Sequence, residues 1–199
     1  MTLKTKSSNE IEILHKNLKL LHSNLRKQTQ TKWDRVLPFE ELLFDRWEKA
    51  NYLKTEKDAS IYHSSYIFGN VSIGKNTWIG PFTILDGSGG KIKIGKYCSI
   101  SAGVHIYTHQ TVNWSLTGGK TPFDKESVTV GDFCYIGPHS IISKGTKIGK
   151  CSVIGAHTLV NTTVPPHSIV FGIPGKVVGN VKIKGKKVSY DFLSNKKSS

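Results

Sequence analysis

The chain has 199 residues, 37% of them apolar, and a formal net charge of +14. That is enough apolar material for one core with additions, and no apolar run is long enough to span a bilayer, which argues against a membrane-embedded helical protein. Residues 1–37 carry eight Lys/Arg against three acids and residues 176–199 carry seven Lys against one, so the 138 residues between contribute only +3. Basic ends suit nucleic acid, anionic lipid or the phosphate of a cofactor as well as plain solvation. MTLKTKSSNE at the N-terminus lacks the apolar stretch of a secretory signal, so a cytoplasmic protein is expected. Cys98, Cys134 and Cys151 have no metal-ligand spacing and leave an odd thiol, which fits small buried hydrophobes.

Residues 1–58 read as a basic helical segment. Ser7-Ser-Asn-Glu10 has the form of a capping box, and Ile11, Leu14, Leu18, Leu21 and Leu25 then follow three/four spacing, predicting an amphipathic helix over 9–27. Pro38 is placed to open a second helix with Phe39, Leu43 and Trp47 on one face. Such helices suit capping of a neighbouring sheet edge or packing on another subunit. A basic amphipathic helix also suits weak peripheral association with an anionic membrane.

A six-residue step starts at 59. Ile61, Ile67, Ile73, Ile79 and Leu85 are six apart, Ile94, Ile100 and Ile106 resume after a short gap, and Val130, Ile136, Ile142, Ile148, Ile154 and Val160 run without a miss. Two residues before each stands a small or apolar side chain, such as Thr77, Cys98, Cys134, Ser140 and Thr158, and Gly often follows, as at Gly74, Gly80, Gly95, Gly131, Gly137, Gly149 and Gly155. Positions i and i−2 share one face of a strand. A strand that turns every six residues therefore points one large and one small residue inward per side, and three sides make a coil of eighteen. Gly is the residue that best tolerates positive φ at such turns. A helical reading fails, since a six-residue step keeps no apolar stripe on a 3.6-residue turn.

Two interruptions break the period. Gly87-Ser-Gly-Gly90 makes the spacing from Leu85 to Ile106 one coil plus three, so these two stack, with Asp86 about 4.8 Å below Tyr107 and near the turn that carries His109. An aspartate at a turn can also simply bond its own backbone. The stretch 110–127 lacks the inward pairs and reads as an extruded loop beginning just after His109. On the same count Ile142 and Val160 stack above Ile106, so Ser143 and Asn161 extend the Asp86–Tyr107 corner. Trp114, inside the loop, can stack on the C–H face of a sugar or pin the loop to its coil. His139 and His157, eighteen apart, fall one coil apart on an outward face, while His15 and His22 lie in the basic N-terminal segment and His63, His105 and His167 have no evident partner.

This pattern resembles the hexapeptide-repeat acyltransferases, and the resemblance covers 59–178. It implies an all-β solenoid, a left-handed parallel β-helix with an N-terminal helical segment; the usual crossover rule would have given a right-handed winding. The segment Ser101-Ala-Gly-Val-His-Ile-Tyr-Thr-His109 is similar to the catalytic segment of sugar O-acetyltransferases in this superfamily, with His109 matching the histidine that opens the loop. Ile84-Leu85-Asp86 is similar to the stretch whose aspartate contacts the acceptor. Val164-Pro-Pro-His-Ser-Ile-Val-Phe-Gly-Ile-Pro-Gly-Lys176 is similar to the terminal coil that contacts coenzyme A. Together these imply His109 as general base, Asp86, Tyr107 and Trp114 at the acceptor, and Ser143, Ala156, Asn161, Thr162 and Lys176 at acetyl-coenzyme A. The family often has Thr-Lys where this chain has Asn161-Thr162, which removes one cation from that set.

The implied reaction is acetyl transfer from acetyl-coenzyme A to a sugar hydroxyl in surface polysaccharide or lipopolysaccharide biosynthesis. A hydroxyl needs a base of pKa near 7 as it attacks a thioester, and histidine supplies one. A homotrimer with sites between subunits is implied, with no metal and no nucleic acid. Zinc on His105 and His109 is disfavoured, because the spacing does not match the carbonic anhydrases that share the fold. Xenobiotic or amino-sugar N-acetyl transfer and a non-catalytic binding solenoid are the competing readings. Residues 179–199 lack periodicity and are expected to fray as a basic tail.

Overall fold

The computed structural model describes residues 8–53 and 55–193. It separates into two compact units, 1–45 and 46–199. In the first, α1 (Ser8–Trp33) is a 26-residue helix with no buried residue. Its row Ile11, Leu14, Leu18 and Leu21 is exposed along its length. The helix runs further than the expected 9–27, and Ser7 of the capping box lies outside the described residues. A short α2 (Phe39–Leu43) follows Pro38, and the His22 and Phe39 rings meet at 5.1 Å. Among the described residues no helix is long and apolar enough to cross a membrane.

The expected second helix is in fact two. Phe44 is extended (φ −126°, ψ 140°), so the helical row ends at Leu43, and Trp47 belongs to α3 (Arg46–Tyr52) in the second unit. Tertiary contacts hold α3: Ala50 is buried in the core, and the Lys49 ammonium donates to the carbonyls of Tyr62 (3.3 Å), His63 (2.8 Å) and Ser65. Thus α3 packs on the first coil.

The repeat folds into three ladders of parallel strands. The first runs through Ile61, Ile79, Ile100, Ile136, Ile154 and Val170. The second runs through Ile67, Leu85, Ile106, Ile142 and Val160. The third runs through Ile73, Ile94, Val130, Ile148 and Val164. Of the fourteen aliphatics in the six-residue register all but Ile67 are buried, and Ile67 packs against the same core. The small partners other than the half-buried Val71 are buried too, and several of their hydroxyls are satisfied by the coil above: Thr77 donates to Gly95 O (2.7 Å), Ser140 to Gly155 O (2.7 Å) and Ser152 to Pro165 O (3.0 Å). A buried hydroxyl needs such a partner. Cys98 and Cys134 occupy this row, each 2% exposed.

The turn glycines follow a different logic from the one expected. Those after the aliphatics do not take positive φ; they are glycine because the turns stack backbone on backbone. A Cβ on Gly74 would come within 2.6 Å of the Gly95 carbonyl carbon, and one on Gly137 within 2.6 Å of the Ala156 nitrogen. Positive φ falls two residues later, on Asn76, Phe82, Tyr97, Phe133, His139, Cys151 and His157, and likewise on His167, two after Pro165. That conformation is uncommon for such residues, and the stack sustains it. Tyr97 N donates to Lys75 O (2.9 Å), Phe133 N to Lys96 O (2.9 Å) and His139 N to Ala102 O (3.0 Å), each one layer down.

Residues 176–192 do not fray. Lys176–Lys184 pairs antiparallel with Ser168–Phe171, and Lys187–Phe192 pairs antiparallel with it in turn. The end of the helix expected at 178 therefore falls inside a strand, and the first ladder finishes in a hairpin.

Candidate active site

The two interruptions meet at the corner between the second and third ladders. Asp86 pairs in register with Tyr107, as the count of one coil plus three requires. Strand Ile84–Ile94 carries the glycine insertion through this corner. Thr108, fully buried, ties it down: its amide and hydroxyl donate to Asp86 O (3.1 and 2.7 Å), and its hydroxyl accepts from Gly89 N (3.0 Å). His109 comes next and lies on the insertion, where a Cβ on Gly89 would come within 2.5 Å of the His109 Cβ.

His109 Nδ1 faces Asp86 Oδ2 at 3.9 Å. The nitrogen is buried and has no hydrogen-bond partner. The separation exceeds a hydrogen bond, and catalytic contacts commonly tighten only when substrate binds. Asp86 also makes the turn that its position suggested: Oδ1 accepts from the Ser88 amide (3.0 Å) and the Ser88 hydroxyl (2.5 Å). One carboxylate oxygen thus serves the turn while the other faces the imidazole. With Nδ1 turned to Asp86, Nε2 is the ring nitrogen left to take a proton.

The extruded loop returns on itself. His109–Gln110 pairs antiparallel with Asp124–Lys125, enclosing α4 (Val112–Leu116). Gln110 Nε2 donates to Asp124 Oδ2 (2.9 Å), and Lys144 Nζ, from the next coil, reaches the same oxygen at 2.8 Å. These two donors hold the Asp124 carboxyl below its ordinary range. Phe123 stacks on His109 (6.1 Å between centroids, 13° between planes) and meets Trp114 edge-on at 5.6 Å. Trp114 remains 43% exposed, so it braces the loop and still presents a face to solvent.

Tyr107 is close in register to Asp86, but its hydroxyl bonds His105 Nδ1 at 3.2 Å, which gives His105 the partner that the sequence did not reveal. Burial, with the Asp86 charge behind it, raises the Tyr107 phenol above its ordinary pKa and keeps it neutral. Ser143 and Asn161 continue the corner upward, since Ile106, Ile142 and Val160 are successive partners. Ala156 lies on the other side of strand Leu159–Val160 from Asn161 and Thr162, exposed. Lys176 follows Gly175, whose amide donates to Leu159 O (2.7 Å), so these four residues surround one strand of the last coil. His139 and His157 stack at 5.3 Å, as their spacing predicts. Among the described residues no three His, Cys, Asp or Glu side chains gather to hold a metal ion.

Phe123, Ser88 and Thr108 were not singled out from the sequence. An Asp followed two residues later by Ser is a turn signal that pointed to Ser88; Phe123 had no periodic signal at all.

The model of the bacterial transferase hexapeptide family (six repeats) matches residues 127–162. Galactoside O-acetyltransferase of Escherichia coli is 26% identical over 135 residues, covering 58% of this chain and 66% of that protein. Serine acetyltransferase of Mycobacterium tuberculosis is 35% identical over 114 residues, 57% of this chain and 47% of that protein. The chain thus spans about half to two thirds of the length of these relatives. Among solved structures, a hexapeptide-repeat-containing acetyltransferase from Vibrio cholerae O1 biovar eltor, complexed with acetyl coenzyme A, is 22% identical with TM-score 0.62, covering 91% of this chain and 94% of that one. AntD, an N-acyltransferase from Bacillus cereus in complex with dTDP and 3-hydroxybutyryl-CoA, is 21% identical with TM-score 0.54, covering 68% and 87%. Residues 127–162 thus carry the hexapeptide repeat of that family, and a sugar O-acetyltransferase is among the relatives of this chain.

Proposed function

We propose that this protein is an acetyl-coenzyme A-dependent O-acetyltransferase that modifies a sugar hydroxyl, with His109 as general base. One observation carries the reading: the extruded loop opens on a histidine whose Nδ1 faces a half-buried carboxylate, Asp86, at 3.9 Å. Nε2 takes the proton of the acceptor hydroxyl as its oxygen attacks the thioester carbonyl carbon. Asp86 stabilises the imidazolium that forms. The tetrahedral intermediate collapses, coenzyme A thiolate leaves, and the imidazolium returns the proton to sulfur. Backbone N–H groups of the coil supply donors to the oxyanion.

Trp114 and Phe123 form the apolar wall for the sugar, with Asp86 and Tyr107 at its edge. Ser143, Ala156, Asn161, Thr162 and Lys176 bind the donor, with Lys176 the cation for its phosphates. The coils wind left-handed, as hexapeptide repeats do. Outward positions support a homotrimer. Trp78, Tyr135 and Val153 on the first ladder and Tyr66, Ile84, Ile141 and Leu159, with His105, on the second include no Lys, Arg, Asp or Glu, whereas the third carries Lys93, Thr129 and Lys147. Two apolar faces suit neighbouring subunits and the basic one suits solvent. The likeness to galactoside O-acetyltransferase supports a sugar acceptor. The setting is cytoplasmic, where acetyl-coenzyme A is available, in the assembly of surface polysaccharide or lipopolysaccharide.

The test is acetyl-coenzyme A turnover by the purified protein against neutral sugars, amino sugars and chloramphenicol, with the product located by NMR. Acetyl on a sugar oxygen supports the proposal. Acetyl on nitrogen, or on the antibiotic, replaces it with the corresponding competing reading, and no transfer by folded protein points to a binding solenoid.

A further inference from the structure

Within Gly87–Gly90, the residue most open to solvent is also the one that carries a side chain. A Cβ on Gly87 would come within 2.5 Å of Asn70 O in the coil below, and a Cβ on Gly89 within 2.5 Å of the His109 Cβ above. A Cβ on Gly90 would meet the Ser127 amide at 3.0 Å. Ser88 alone has room, and it spends its hydroxyl on Asp86 Oδ1, together with its amide. A carboxylate rotates about χ2 with little preference. Two donors on one oxygen remove that freedom and leave Oδ2 toward His109 Nδ1.

We propose that Ser88 is a positioning residue: it sets the rotation of the Asp86 carboxylate, and through it the tautomer and orientation of His109. A base oriented by a carboxylate that is itself held by a third group is a recurrent catalytic arrangement. The glycine insertion then has a reason. It adds enough chain for a hydroxyl to reach back to Asp86, and flanks that residue with glycines where neighbouring coils leave no space. The backbone of the turn is held separately by Thr108, so loss of the Ser88 hydroxyl leaves the fold intact. The catalytic meaning of this device rests on His109 being the base; its geometry does not.

The experiment compares wild type, Ser88→Ala and Ser88→Thr by two readouts. Nitrogen-15 shifts of the neutral His109 ring report which nitrogen carries the proton, without any acceptor. Steady-state acetyl transfer reports kcat and KM. In wild type the proton sits on Nδ1. Ser88→Ala should give a mixture of tautomers, and kcat lower by about tenfold, the scale of one hydrogen bond to a charged group. The KM for acetyl-coenzyme A and the melting temperature should stay put, and Ser88→Thr should restore both signatures. A wild-type ring signature in Ser88→Ala, an Nε2–H tautomer in wild type, or a loss that threonine fails to recover overturns the proposal. A tautomer shift as expected in a protein that acetylates no sugar upholds the positioning role and sinks the sugar-acetylation reading instead.

Discussion

Residues 128–160 and 86–127 are built from the same repeat and use it in opposite ways. In 128–160 the inward aliphatics of one coil meet those of the next eighteen residues on: Val130 with Ile148, Ile136 with Ile154, Ile142 with Val160. In 86–127 the spacing stretches, to twenty-one between Leu85 and Ile106 and to thirty-six between Ile106 and Ile142. The additional chain leaves the core untouched, since Leu85, Ile106 and Ile142 are all 0% exposed. It appears instead as a glycine turn under His109 and a loop beginning at His109. If the proposed site is right, the regular run carries stability and the irregular one carries chemistry, and substitutions should separate the two.

The largest separation is expected at His109. His109→Ala should lower kcat by ~10²–10⁴, the usual contribution of a general base, while the melting temperature and acetyl-coenzyme A binding stay near wild type. Steady-state kinetics beside calorimetry checks this; a large fall in melting temperature would erase the contrast between the regions. Ile136→Ala should do the reverse. Ile136 is fully buried, so its truncation should cost about 2–5 kcal/mol in denaturant unfolding, with unchanged turnover per folded molecule.

A matched pair sharpens the comparison, since the same methyl group is added in each region. In Gly137→Ala the Cβ meets the Ala156 backbone at 2.6 Å, and in Gly89→Ala it meets the His109 Cβ at 2.5 Å. The first should lose ~1–3 kcal/mol of stability through overpacking and keep its kcat. The second should push His109 off Asp86 and lose kcat on the order of tenfold, the cost of a small misplacement, with a smaller change in melting temperature.

The smallest effect is expected at the foot of the loop. The Asp124 carboxyl is held low by Lys144 and Gln110. A depressed carboxyl contributes above its unfolded pKa and ceases to contribute as pH falls through its folded one. Amide exchange in residues 110–124, compared at constant intrinsic rate, should therefore quicken below the ordinary carboxylate range. High salt should quicken it at neutral pH, as for any exposed pair. The regular run should show neither response.

What the sequence disclosed divides along the same line. Alternation and a fixed step locate Ile61 through Val160 in the core, and simple counting puts Asp86 beside Tyr107 and His157 over His139. Counting could not say why Gly137 is glycine, because the constraint lies in the approach of Ala156 from the next coil rather than in its own φ. Nor could it place positive φ on Phe133 or His167, which a hydrogen bond to the layer below enforces. Phe123 reaches His109 only because the loop closes on itself through antiparallel pairing, and no period marks that return. The break at Phe44 and the hairpin after Phe171 were likewise hidden: no helix-breaking residue marks the first, and the second is decided by pairing with the end of the stack rather than by local pattern.

That hairpin has a bearing on how the molecule behaves at high concentration. A stack of parallel coils ends in unpaired amides and carbonyls that match the start of another stack, which is a template for fibre growth. At one end of the first ladder the antiparallel strand Lys176–Lys184 takes up those groups. The strand outside it, Lys187–Phe192, turns through Lys184, Lys186 and Lys187 and bears an ion pair between Lys182 and Asp191. Its direction is wrong for a parallel newcomer and its charge repels a second copy. At the other end α3 lies over the first coil. The first ladder is thus guarded at both ends against growth along its own axis.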